Sequence, residues 1–314
     1  MKGIYGAASI LMMLMSGHAF AQSEAASTQE IKPLIAYGTK LGPVEQMRKS
    51  HELARELARP DASGWRAKGD QKRSYHFAEA GRDMPFRICV PEDWDGKSEL
   101  PLVMFLHGAG SNESTYLDAS GKQMVNLANE HGYILVSPLG GDGAYGTYLR
   151  LPAVFGEEEE ADRMRANTPT AERVKSQELS EQDLINVLEI VISEYPVDRT
   201  SMFLMGHSMG SGGTWYIGAK YASYWAALAP ISGPFVQRSV YPWDRIRDKP
   251  VFITEGTGAT PSLAGSRAMQ QWMKENGFRV EYKEVDADHG GMVRLVLPDI
   301  FDFFDRCRAT GQDR

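Results

Sequence analysis

The pentapeptide Gly206-His207-Ser208-Met209-Gly210 stands between an apolar run, Met202-Phe203-Leu204-Met205, and a segment that reads as a helix. A serine at such a strand-to-helix turn sits on strained backbone, its hydroxyl lifted above the sheet and set at a helix N-terminus. Glycines two positions before and after it let neighbouring chain come close. The chemistry this arrangement serves is nucleophilic attack on an acyl carbon. A phosphate cradle is the rival use of a glycine-rich turn, and it fails because residues 206–213 contain no Lys-Ser or Lys-Thr pair.

A serine hydroxyl needs a base. His51 falls in an N-terminal helix, His76 in a hairpin and His131 at a helix end. His207 adjoins the nucleophile, so its side chain should point away from Oγ, and His107 ends the strand before a glycine loop. His289 lies in Asp286-Ala287-Asp288-His289-Gly290-Gly291, ahead of the final helix. In the chain order serine, acid, histidine, that is the place of the base. Two backbone N–H groups should form an oxyanion hole. One is that of Met209, and the other comes from His107-Gly108-Ala109-Gly110, with Ala109 preferred and Gly110 second.

Positioning these groups takes alternating strands and helices. Ser74–Ala78 and Phe86–Val90 read as a hairpin around Gly81-Arg82-Asp83. Pro101–Leu106 is a continuous apolar strand, the pattern of a strand buried on both faces. Helices are predicted over 121–131, 182–195 (capped by Ser180), 208–221, 262–276 and 298–308. Strands are predicted over 133–137, 201–205, 226–231, 251–254 and 278–285. Such alternation gives an α/β fold, a mostly parallel twisted sheet of about eight strands with helices on both faces. Residues about 140–178 break the rhythm and read as an insertion, a cap or a mobile segment.

The chain starts with a secretory signature over 1–21. Lys2 precedes the apolar core Ile10–Met15, and Ala19-Phe20-Ala21 is a cleavage motif, so no membrane anchor remains after processing. Residues 22–72 then form a lead-in with a helix over 44–59, and 73–314 the catalytic domain. The expected location is periplasmic or secreted. A net charge of -7 with no Lys/Arg tract argues against nucleic acid as a partner. Ordinary globular composition excludes collagen-like, coiled-coil and disordered chains. Cys89 and Cys307 are the two cysteines; a disulfide between them and two buried thiols are both open. No metal motif and no organic cofactor is implied, and a homodimer is compatible with the sequence.

The chain resembles the α/β-hydrolases, in the secreted esterase and predicted-peptidase branch near polyhydroxyalkanoate depolymerase-like and feruloyl esterase-like proteins. The resemblance runs from about Tyr75 to Arg308. It rests on HGAG at 107–110, Leu179-Ser180-Glu181-Gln182-Asp183, GHSMG followed by Gly213-Thr214-Trp215-Tyr216, Ala226–Gly233 and Asp288-His289-Gly290-Gly291. It implies hydrolysis of a small or polymeric ester through an acyl-serine, with amides not separable from these residues.

One position departs from the family. Its members usually carry an aspartate where this chain has Ala259, and no carboxylate occurs between Gly256 and Arg267. Glu255 is the first candidate for the triad acid. Asp286 and Asp244 are alternatives, Asp288 is too close in sequence to His289, and an impaired dyad acting as a binding module is a further reading. Arg150, Arg163, Arg165, Arg173, Arg245, Arg247 and Arg294 raise an anionic polymer as an alternative substrate, if they converge. Trp215, Tyr216, Trp243, Tyr145 and Tyr148 are candidates for an acyl or aryl pocket, Trp215 being better read as core.

Overall fold

Strand β4 (Leu100–Leu106) is buried at every position. Leu102, Met104 and Leu106 enter one apolar cluster, Val103 and Phe105 another. Successive side chains point to opposite faces, so an all-apolar strand needs cover on both. One face packs against α2 (Ala171–Glu194), α3 (Met209–Lys220) and α4 (Leu263–Glu275). The other packs against α1 (Thr115–Glu130) and α5 (Met292–Gln312).

The computed structural model describes residues 29–31, 66–141, 145–146, 155–156, 170–258, 260 and 262–312. Its remaining strands are β1 (Gln29–Ile31), β2 (Gly69–Phe77), β3 (Arg82–Val90), β5 (Ile134–Pro138), β6 (Val197–His207), β7 (Ala227–Ile231), β8 (Val251–Gly256) and β9 (Val280–Val285). They form one sheet in the order β1-β2-β3-β5-β4-β6-β7-β8-β9. Strands β2–β3 and β3–β5 pair antiparallel, and the rest pair parallel. The eight strands from β2 onward are the mostly parallel sheet expected of an α/β-hydrolase, and three-residue β1 adds an edge. The hairpin turns through Gly81 at φ +64, where the absent Cβ removes the strain.

Three helices differ from their sequence reading. Helix α2 starts at Ala171, with Thr170 Oγ1 accepting the Arg173 N–H as its N-cap. Ser180 therefore caps nothing; it is buried in mid-helix, and its Oγ accepts the Tyr145 N–H. The first turns are polar but lack Gly and Pro, so nothing prevents the helix from running back into the insertion. Helix α5 starts six residues before Pro298, which lies inside it at the loss of one backbone bond. In α1, Ala119 to Lys122 leave helical geometry, Ser120 and Lys122 both at positive φ.

Strand β2 begins at Gly69, inside the stretch read as lead-in. The predicted helix over 44–59 and the secretory segment lie outside the described residues. Cys89 and Cys307 are not joined in a disulfide, and burial pushes their thiols up to about 12 and about 11.

Candidate active site

Ser208 lies between β6 and α3, as the N-cap residue of α3, at φ +56, ψ −115, a conformation that side-chain-bearing residues rarely adopt. Its N–H donates to the Ile231 carbonyl (2.9 Å), tying the turn to the end of β7. The flanking glycines are sterically required. A Cβ on Gly210 would collide with the Leu106 carbonyl at the end of β4, and one on Gly206 would collide with the Gly210 carbonyl. Ser208 itself is partly exposed.

His289 follows β9 and is brought to this turn by the residue before Ser208. His207 Nε2 lies 2.8 Å from the His289 carbonyl, and the two rings are 4.6 Å apart, centroid to centroid. A carbonyl only accepts, so Nε2 carries the hydrogen and Nδ1 accepts from Tyr116 Oη (2.6 Å). Burial, with His289 beside it, pushes His207 down to about 3, which fits this neutral tautomer. Burial also pushes the Tyr116 phenol up to about 12, keeping it a donor. His207 thus spends both ring nitrogens on Tyr116 and the His289 carbonyl, and holds the backbone of the candidate base. His289 is itself pushed below the ordinary imidazole value, mainly by burial, with Glu255 and Asp288 partly opposing.

Glu255 is wholly buried near the end of β8. Its side chain shares the face of Val251 and Ile253, toward α4. Oε2 accepts from Ser262 Oγ (3.0 Å) and Ser266 Oγ (2.7 Å), at the start of α4. Oε1 accepts from the Gly256 N–H (3.3 Å) and from Ser232 Oγ (2.6 Å). Ser232 Oγ in turn lies 2.8 Å from His289 Nδ1. Glu255 therefore reaches His289 through a hydroxyl. Ser232 sits just past β7 at φ +50, a second strained serine, its N–H bonded to the Thr254 carbonyl. Residues 226–233 stood out in the sequence, yet no role attached to Ser232 there. The available signal was a buried strand-end glutamate that needs donors, with serines after the neighbouring strand and at a helix start.

The other acids do not contact the imidazole. Asp244 is fully exposed, Asp286 faces Thr257 Oγ1 at 3.5 Å, and Asp288 accepts the Gly291 N–H. Ala259 lies outside the described residues. Met209 is the first residue of α3, and Ala109 is exposed in the loop after β4, whose end abuts Gly210. His107 ties that loop down, its ring nitrogens 2.9 and 2.7 Å from the Gly108 and Leu139 carbonyls.

A family model described as "Putative esterase" matches residues 78–273, more than half of the chain. The chain belongs to this esterase family. Known structures agree on the fold. A thermostable esterase superposes at a TM-score of 0.55 and 20% identity, covering 76% of this chain and 62% of its own. The S-formylglutathione hydrolase of Staphylococcus aureus superposes at 0.56 and 16% identity, covering 76% and 98%. A ferulic acid esterase gives 0.55 and 14%, covering 76% and 98%. The chain thus spans less than two thirds of the thermostable esterase. No curated protein matches it in sequence.

This esterase carries a cavity of about 410 Å³ along α3 and the segment after Ser232, lined among others by Tyr216, Phe235, Val236, Tyr241 and Arg245. Trp215 is buried core, and Trp243 packs on Tyr241 and Trp272. Tyr145 is also buried, its Oη accepting the His107 N–H. Arg150, Arg163, Arg165 and Tyr148 lie outside the described residues. Among the described residues, one trio has donor spacing suited to a metal: His131, Asp302 and Asp305. Asp305 there already accepts from Tyr133 Oη and faces His131 Nδ1, and the trio is separate from the residues around Ser208.

Proposed function

We propose that the esterase works through an acyl-serine intermediate, with Ser208 as nucleophile and His289 as base. His289 Nε2 takes the Oγ proton while the Oγ–carbon bond forms, and the N–H groups of Met209 and Ala109 hold the resulting oxyanion. The carbon–oxygen bond to the leaving group then breaks, and imidazolium returns the proton to the departing alcohol. Water repeats the cycle to release the acid. Glu255 supplies negative charge on the far side of the imidazole, which favours this enzyme over an impaired binding module. The observation that carries the reading is Ser208 on strained backbone between β6 and α3, with the His289 loop bonded to the preceding residue.

Export completes the proposal: cleavage after Ala21 would leave Gln22 as the first residue of a periplasmic or secreted enzyme. Substrates are small or polymeric esters whose apolar part fits beside α3. The test is hydrolysis of p-nitrophenyl acetate and butyrate. Wild type should turn over, and Ser208→Ala should lose about 10⁴-fold or more in kcat while keeping its fold. Equal rates in the two proteins would refute the assignment.

A further inference from the structure

We propose that Ser232 is a positioning residue that connects the base to the acid, so that the catalytic chain runs Ser208, His289, Ser232, Glu255. The proposal rests on the acyl-serine reading above and concerns how that site is held. Ser232 Oγ lies 2.6 Å from Glu255 Oε1 and 2.8 Å from His289 Nδ1. A hydroxyl has one hydrogen and two lone pairs. A carboxylate can only accept, so the hydrogen goes to Glu255. The oxygen is then left to accept, and His289 Nδ1 must donate to it. That fixes the tautomer with the Nε2 lone pair free for the Ser208 proton, the service a directly bonded carboxylate gives in an ordinary triad. Nδ1–H and Oγ–H keep their protons throughout. Only the proton on Nε2 moves between nucleophile, imidazole and leaving group.

Two further features show that the link is built. Glu255 Oε2 takes hydrogen bonds from Ser262 and Ser266, so the carboxylate cannot rotate away from Ser232 without losing both. Ser232 is itself held in place at φ +50, buried, with its N–H bonded to the Thr254 carbonyl on β8, the strand that carries Glu255. The relay also explains how the chain works with Ala259 where the family has an aspartate: a glutamate set back in the strand is one hydroxyl short of the imidazole.

The test is a double-mutant cycle on the full chain with p-nitrophenyl butyrate. Ser232→Gly relieves the backbone strain while removing the hydroxyl, so its fold is safe; Ser232→Ala checks it. Each should lower kcat about 10²-fold with little change in KM. The titratable groups facing His289 are Glu255 of β8, Asp288 of its own loop and neutral His207 of β6. Losing the link removes a partner of imidazolium, so the acidic limb of the kcat/KM profile should move to lower pH in Ser232→Gly. Ser232→Gly combined with Glu255→Gln should be no slower than the slower single variant. A wild-type kcat in Ser232→Gly, or losses that multiply in the double variant, would overturn the relay even if Ser208→Ala is dead. Undiminished turnover in Ser208→Ala would instead remove the reading beneath it.

Discussion

Two buried glutamates in this enzyme are satisfied in opposite ways. Glu194, at the end of α2, forms a bidentate pair with the buried guanidinium of Arg73 on β2. Glu255 meets only neutral donors: three serine hydroxyls and one N–H. An adjacent guanidinium cancels a carboxylate's field, whereas neutral donors solvate it and leave the charge to act on its surroundings. The first arrangement suits a fold joint. The second suits a group that must stabilise an imidazolium on the far side of one hydroxyl. Asp70 belongs with Glu194: it takes Arg87 and Lys122, and stitches β2 to β3 and α1.

Removing the two charges should separate the roles. Glu255→Gln should lower kcat about 10³-fold, toward the effect of losing a triad acid, while stability falls by no more than about 1 kcal/mol because serine hydroxyls can turn to meet an amide. Glu194→Gln strands the buried Arg73 charge. It should cost about 3–5 kcal/mol in a denaturant titration and leave kcat of the folded fraction unchanged. If Glu255→Gln unfolds the protein, or Glu194→Gln silences it, the contrast is wrong.

The pH profile sharpens the comparison at a smaller scale. The proposed base, His289, could take a proton only when neutral, and burial holds it below the ordinary 6.5. The acidic limb of kcat/KM should therefore fall below that pH in wild type. The Glu255 charge raises the imidazole's value, so Glu255→Gln should move the limb lower still, and Glu194→Gln should not move it. The smallest effect is expected of Tyr116→Phe. It leaves His207 Nδ1 buried without its donor and loosens the hold on the His289 backbone, for about a tenfold loss in kcat. A KM effect alone would contradict that role.

The turn that carries Ser208, the proposed nucleophile, was legible in the sequence as a turn between strand and helix because its signals are local. The elbow is five consecutive residues between a strand and a helix, and chain order singles out His289. The acid side was legible only in part. Glu255 could be named as the strand-end carboxylate, but Ser232 is 23 residues from Glu255 and 57 from His289. Only the sheet order, with β7 beside β8, brings them together. Fold class followed from strand–helix alternation. The early start of α2 did not, because its polar first turns match a solvated loop as well as a helix. Pro298 misled in the same local way: proline marks helix starts more often than interiors.

The most direct test of the central claim is a fluorophosphonate labelling experiment on the purified protein, read by peptide mass spectrometry. The account predicts one adduct, on the peptide carrying Ser208, absent in Ser208→Ala and formed more slowly in both Ser232→Gly and Glu255→Gln. No adduct in wild type, or an adduct on another serine, would contradict it.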